Sequence, residues 1–334
     1  MGTYIIAEAG VNHNGDFELA RKLVDIAAEA GADAVKFQTF KASESTGRQA
    51  EKAAYQKKND PVEESQLDMI RKLELPFEDF GKLQQYCFQK GIDFISTPDG
   101  SESLQYLISL DMPYIKAGST EITNLPFLKE IGAAGRPVLL STGMSTLGEV
   151  EKALHAIYET GNTDVTLMHC TTDYPTAVKD VNLNAMLTLK NAFHVPAGYS
   201  DHTKGYEAAV AAVALGAVCI EKHITLDRNL PGPDHKASMP PEEFKEYVLR
   251  IRNTELLLGD GRKKPTEHEK DIMNQARRSI LAKHDLKKGT VLTKDMFCYK
   301  RPGDGIRPEY AHILEGRVLK RDLMEEERIL WEDV

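Results

Sequence analysis

His202 and His223 close two apolar runs that are consecutive along the chain and read as neighbouring strands. From adjacent strands their rings can converge on one ion. Neutral imidazole suits zinc, manganese, iron or nickel, and two such ligands leave positions open for water and substrate. The competing reading is a pair of hydrogen-bonded histidines near a pocket mouth, and spacing alone does not choose between them. Asp201 and Glu221 are candidates for fixing the two rings from behind. His169 reads either as a further ligand or as a neutral donor.

Two lysines raise a second question. Lys36 and Gln38 stand two apart in one apolar run, so they share a strand face; Lys116 sits in another such run. A lysine facing a barrel interior is costly unless it meets an anion, which implies a phosphate or carboxylate ligand. The alternative pairs each lysine with Glu8 or Glu121. Either way, those glutamates sit where lysines and a metal would tune them for general acid or base work. Ser141 and Ser200 add hydroxyl donors.

These residues need a scaffold that brings strand ends together. Strand-like runs occur at 4–9, 34–40, 93–97, 114–118, 137–142, 165–170, 196–200 and 218–224. Helical patterns at 17–30, 66–90, 101–110, 146–159, 206–215 and 241–258 lie between and after them. That alternation over residues 1–259 predicts a (β/α)8 TIM barrel, whose chemistry gathers at the C-terminal strand ends. Polar residues do collect there on every strand, where branched apolar side chains would otherwise fill the interior. The polar connection from Lys41 to Glu64 is long for a barrel and reads as a lid, a binding loop or an oligomer contact. Residues 260–276 read as a polar linker. Residues 277–334, with short apolar runs broken by Lys287-Lys288-Gly289 and Arg301-Pro302-Gly303, read as a small turn-rich β domain.

Bulk properties narrow the classes. A net charge of −9 over 334 residues argues against a general nucleic-acid binder. It also means that an anionic substrate needs a local cluster of cations. Four scattered cysteines, no signal-like start and no apolar run near the ~20 residues of a membrane span fit a cytoplasmic protein.

The runs IAEAGVNHNG (6–15), VKFQT (35–39), LSTGM (140–144), HCTTDYP (169–175), YSDHT (199–203), IEKH (220–223) and PGPDH (231–235) together resemble the sialic acid synthase family. The tail, with Arg277-Arg278-Ser279-Ile280 and Lys300-Arg301-Pro302-Gly303-Asp304-Gly305-Ile306, resembles that family's antifreeze-like SAF domain. The resemblance covers essentially the whole chain, in order. It implies condensation of phosphoenolpyruvate with an open-chain N-acylmannosamine-type sugar, giving a nine-carbon 2-keto acid and phosphate. By that resemblance His202 and His223 would hold Mn2+ or Mg2+. Lys36, Gln38, Thr97, Lys116, Ser141 and Ser200 would hold phosphoenolpyruvate. Glu8, Glu121 and Asp234 would serve the sugar hydroxyls, water or proton transfer, and Tyr174 the sugar pocket. Arg301 would reach the sugar's N-acyl group from the partner of a domain-swapped homodimer. Two positions depart from the family pattern: Asp99 stands where relatives usually carry Phe, and Thr120 where they carry Gly.

Two other classes compete. A metal-dependent barrel hydrolase would want a third strong ligand or a His-x-His on the first strand, and the sequence has neither. A non-catalytic sugar-binding relative would not need to keep both histidines, both lysines and both glutamates.

Overall fold

The computed structural model describes residues 2–47, 49–52 and 64–334, and the chain divides into two compact units, Met1–Gly259 and Asp260–Val334. In the first, β1 (Tyr4–Gly10), β2 (Ala34–Phe40), β3 (Asp93–Asp99), β4 (Ile115–Ala117), β5 (Val138–Ser141), β6 (Val165–His169), β7 (Ala197–Asp201) and β8 (Cys219–His223) form one sheet. Its order is β3-β2-β1-β8-β7-β6-β5-β4, and every pairing is parallel. β3 and β4 lie side by side at the seam, so the sheet is a near-closed barrel. Its outer helices are α1 (Phe17–Ala30), α2 (Phe77–Lys90), α3 (Ser101–Ser109), α4 (Leu125–Ala133), α5 (Leu147–Tyr158), α6 (Asn184–Phe193), α7 (Glu207–Ala214) and α8 (Pro241–Leu258).

Local chemistry sets the helix ends. The Asp16 side chain accepts from the Glu18 and Leu19 amides to start α1, and Gly31 ends it in the left-handed conformation. The expected 66–90 helix is broken in two, Gln66–Arg71 and α2. Pro76 is the reason: it disfavours a helical Leu75 and lacks the amide that would carry the helix through. Leu75 is instead buried in the core. Of the long 41–64 connection, Ala42–Ser45 forms a short helix, while 53–63 lies outside the described residues.

The barrel interior is layered. Ile6, Ala34, Ile95, Leu139, Met168 and Cys219 pack together as an apolar plug. Strand side chains alternate, so two residues further along each strand the next inward positions are Glu8, Lys36, Thr97, Ser141, Cys170 and Glu221. The plug seals the barrel and the layer above it carries the polar groups.

In the second unit, β9 (Ser279–Ala282) pairs antiparallel with β10 (Phe297–Lys300). Ile280, Leu292, Phe297, Ile306, Leu314 and Ile329 are buried in its core. Residues 260–276 are not all linker: Glu267–Ala276 is a helix, α9, started by a reciprocal Thr266–Glu269 cap.

Candidate active site

Parallel register decides which side chains meet. Glu8 is level with Lys36 on one side and with His223 on the other, while Ser200 is level with Glu221. Glu8, Lys36, Gln38, Thr97, Lys116, Glu121, Ser141, Tyr174, Ser200, His202, His223 and Asp234 all line one cavity of about 300 Å3 at the strand ends. Gly10, at φ +53°, ends β1 where a Cβ would stand 3.3 Å from Glu8 Oε1 and 3.5 Å from Gln38 Nε2. A side chain there would strain the backbone and crowd that hydrogen bond.

The cavity floor is an alternating charge cluster. Lys36 Nζ lies 2.8 Å from Glu8 Oε2 and 3.7 Å from Glu221 Oε1, and donates to Thr97 Oγ1 at 3.1 Å. Lys116 Nζ donates to Ser141 Oγ at 2.6 Å and lies 4.0 Å from Glu221 Oε2. Gln38 donates to Glu8 Oε1 at 3.1 Å, and Ser200 to Glu221 Oε1 at 3.2 Å. Both lysines are 3 % exposed, Glu8 1 % and Glu221 4 %, so these charges meet with little screening by water. Burial pushes the Glu8 carboxyl up, and its neighbour Glu221 adds to this against the pull of Lys36. Burial opposes ionisation of Glu221 too, but Lys116 and Lys36 together outweigh it and hold that carboxyl low. Burial alone would neutralise Lys36; Glu221 and Glu8 keep it charged. Lys116 is lowered by burial.

The two histidines stand above this floor with ring centroids 5.5 Å apart. His202 Nδ1 donates to the Thr171 carbonyl at 2.7 Å, which leaves Nε2 as the lone-pair nitrogen. Burial lowers both rings to about 4, so both are neutral imidazoles at neutral pH. His223 Nδ1 is buried without a hydrogen-bond partner. Among the described residues no three His, Cys, Asp or Glu side chains are placed to hold an ion together. Two neutral imidazoles with an unused buried nitrogen do fit an open site whose other positions go to water and substrate. The Tyr174 ring lies 4.1 Å from His202 and meets His223 edge-on at 5.7 Å.

The remaining carboxyls differ in setting. Glu121 Oε2 accepts from Asn124 at 2.7 Å. Burial, with a contribution from Glu8, raises Asp234 to about 6. Asp99, noted in the sequence only as a departure from the family pattern, also lines the cavity; burial and Glu121 raise it to about 6.

Two expectations are corrected. Asp201 does not support His202: it accepts from Lys222 at 3.1 Å and from Tyr247 at 3.0 Å, outside the barrel. Its position one residue from inward-facing Ser200 and His202 gives the reason, since neighbours on a strand face opposite sides. Glu221 hydrogen-bonds neither ring and lies between the two lysines. Of the two readings of His169, the neutral donor is the one found: Nε2 donates to the Val181 carbonyl at 2.8 Å, and the residue does not line the cavity. Arg301 lies in the second unit, with an exposed side chain.

A (β/α)8 barrel with a buried lysine–glutamate floor beneath paired imidazoles at its C-terminal strand ends has the layout of a barrel enzyme's active site. Residues 23–263 match the NeuB family and residues 277–334 the SAF domain, and the chain belongs to the NeuB family. It is 46% identical to the N,N'-diacetyllegionaminic acid synthase of Campylobacter jejuni, covering 98% of each chain. It is 34% identical to the N-acetylneuraminate-9-phosphate synthase of Homo sapiens, covering 98% of this chain and 92% of that one. Among solved structures, it resembles the N-acetylneuraminic acid synthetase of Leptospira borgpetersenii in complex with citrate. That match has a TM-score of 0.72 and 34% identity, over 82% of this chain and 90% of that one.

Proposed function

We propose that this synthase condenses phosphoenolpyruvate with an N-acylated amino sugar in its open-chain aldehyde form, releasing phosphate and a nine-carbon 2-keto acid. The observation that carries this reading is the buried floor, where Lys36 donates to Thr97 and Lys116 to Ser141, with Ser200 lining the same cavity, beneath neutral His202 and His223. Two ammoniums and three hydroxyls in one small cavity suit a compact ligand bearing both a carboxylate and a phosphate.

Carbon 3 of phosphoenolpyruvate bonds to the aldehyde carbon, leaving positive charge at carbon 2. Water adds there, and the tetrahedral centre expels phosphate with cleavage of the carbon–oxygen bond. The water loses two protons, one as it attacks and one as the tetrahedral hydroxyl collapses to the ketone; one is balanced by protonation of the aldehyde oxygen and the other leaves on the phosphate. Glu8, Glu121 and Asp234 are the carboxyls available for that traffic, and the raised Glu8 and Asp234 suit proton exchange near neutral pH. His202 and His223 would hold Mn2+ or Mg2+, which supplies charge to polarise the aldehyde oxygen. Tyr174 would line the sugar pocket. Arg301 would reach the N-acyl group from the partner subunit of a homodimer, and the compartment would be the cytoplasm.

Identity favours the 2,4-diacetamido-6-deoxy sugar as first acceptor to try: 46% to the legionaminic acid synthase against 34% to the human relative. The test is phosphate release with an acceptor panel of N-acetylmannosamine, its 6-phosphate and the diacetamido sugar. Release should need phosphoenolpyruvate, acceptor and divalent metal together. With 18O in the bridging position, the label should leave in the phosphate. Release without acceptor, or label retained in the sugar acid, would contradict the proposal.

A further inference from the structure

The cavity that holds the site has a floor of paired lysines and glutamates and an acidic rim, and Asp99 on that rim has no role in the reaction as proposed. On β3, Ile95 lies in the apolar plug, Thr97 accepts from Lys36 in the polar layer, and Asp99 is the next inward position. One strand step of two residues therefore raises Asp99 about 6–7 Å above the floor. Glu121 reaches the same cavity from the turn after β4.

Among the described residues no cation pairs with Asp99. Its carboxylate accepts from the Ser45 hydroxyl and feels Glu121 and Glu44. Glu44 Oε2 lies 2.7 Å from where a Cβ on Gly100 would stand, so a third carboxylate backs the rim. Lys41, on the same loop, is paired with Glu102. The same cavity keeps an unspent acceptor on its floor: Glu221 Oε2 is buried there and makes no hydrogen bond.

If phosphoenolpyruvate occupies the floor, the aldehyde carbon must reach down to it, and the far end of the open-chain sugar extends to the rim. We propose that Asp99 is a specificity-determining residue of this enzyme: with Glu121 it selects an acceptor whose far end offers uncharged N–H or O–H donors and rejects one that carries a phosphate there. Carboxylates accept from neutral donors and repel a dianion across a short, partly desolvated gap. The inference rests on the condensation reading.

The experiment compares wild type with Asp99→Asn, which keeps the shape and the acceptor for Ser45. Phosphate release is first established with whichever acceptor supports it. N-acetylmannosamine and its 6-phosphate are then used as competitors, and the ratio of their inhibition constants is measured at low and high salt. Wild type should bind the 6-phosphate at least about tenfold more weakly at low salt, and the gap should narrow at high salt. Asp99→Asn should shrink that ratio by about fivefold or more, changing the constant for N-acetylmannosamine by less than about threefold. A ratio unmoved by the substitution, or wild type binding both sugars equally at low salt, overturns the rim assignment while leaving the reaction standing. No phosphate release with any acceptor overturns both.

Discussion

Replacing Lys36 by Met tests the charge logic of the site floor. The two ammoniums and two carboxylates of Lys36, Lys116, Glu8 and Glu221 sum to zero. Removing Lys36 leaves two buried carboxylates sharing Lys116, which is 4.0 Å from one of them. At an effective dielectric near 20, attraction across 2.8 Å is about 6 kcal/mol and across 3.7 Å about 4 kcal/mol. The protein does not lose that sum, because one carboxyl takes up a proton; breaking a buried pair this way costs about 3–5 kcal/mol. For a barrel of this size that corresponds to a Tm lowered by about 5–10 °C.

The loss should depend on pH in a fixed direction. Glu8 is already raised in the native state, and loss of Lys36 raises it further. A carboxyl raised on folding favours the folded state below its unfolded value and loses that advantage as pH rises through its folded value. The Tm deficit should therefore be larger near pH 8 than near pH 5.5. Adding Glu8→Gln removes the stranded charge and should recover at least half of the deficit, without restoring the phosphoenolpyruvate binding proposed for Lys36. Calorimetry on the three proteins at both pH values checks this. A deficit that is absent, equal at both pH values or greater in acid would refute the reasoning.

Three further outcomes follow, from the site geometry, from the proposed role of Arg301 and from the packing of β7. His202→Ala should abolish metal-dependent phosphate release and weaken Mn2+ binding measured by calorimetry at least about tenfold, with the Tm little changed in the absence of metal. Arg301→Ala should raise KM for the sugar by about tenfold or more, but the Km for phosphoenolpyruvate by less than about threefold; equal effects would remove the residue from the sugar pocket. Gly198→Ala places a Cβ against Cys219 Sγ, 2.7 Å from the Cys219 carbonyl and 2.7 Å from Met168 Sδ. It should cost about 1–3 kcal/mol in denaturant unfolding, with kcat per folded molecule retained.

The barrel was legible because its signal is periodic. Helix 17–30 is found over the residues the sequence assigns to it, and strand 34–40 likewise, since each has an apolar pattern and a clear stop. The break at Pro76 was readable from one residue, and so was α9: Thr266 followed three positions later by Glu269 is a capping signature inside a stretch whose polarity suggested linker. Polarity hid that helix because it has no buried residue, and apolar periodicity can mark only a helix that packs.

The site divides along the same physical line. Parity along a strand tells which side chains enter the barrel, and counting two residues up from the plug gives their depth. Applied to β7 and β3, that rule turns Asp201 outward and brings Asp99 in. Parity does not name partners. Glu221 is inward on any count, yet whether it supports a histidine ring or joins two lysines depends on register and on the lengths of side chains converging from β2 and β4. That choice has a chemical consequence. A glutamate against an imidazole would raise its basicity, whereas one between Lys36 and Lys116 keeps both near a single point. It holds the cations together, so the anionic substrate proposed for the floor would meet ammoniums already gathered and give up less binding energy to ordering them.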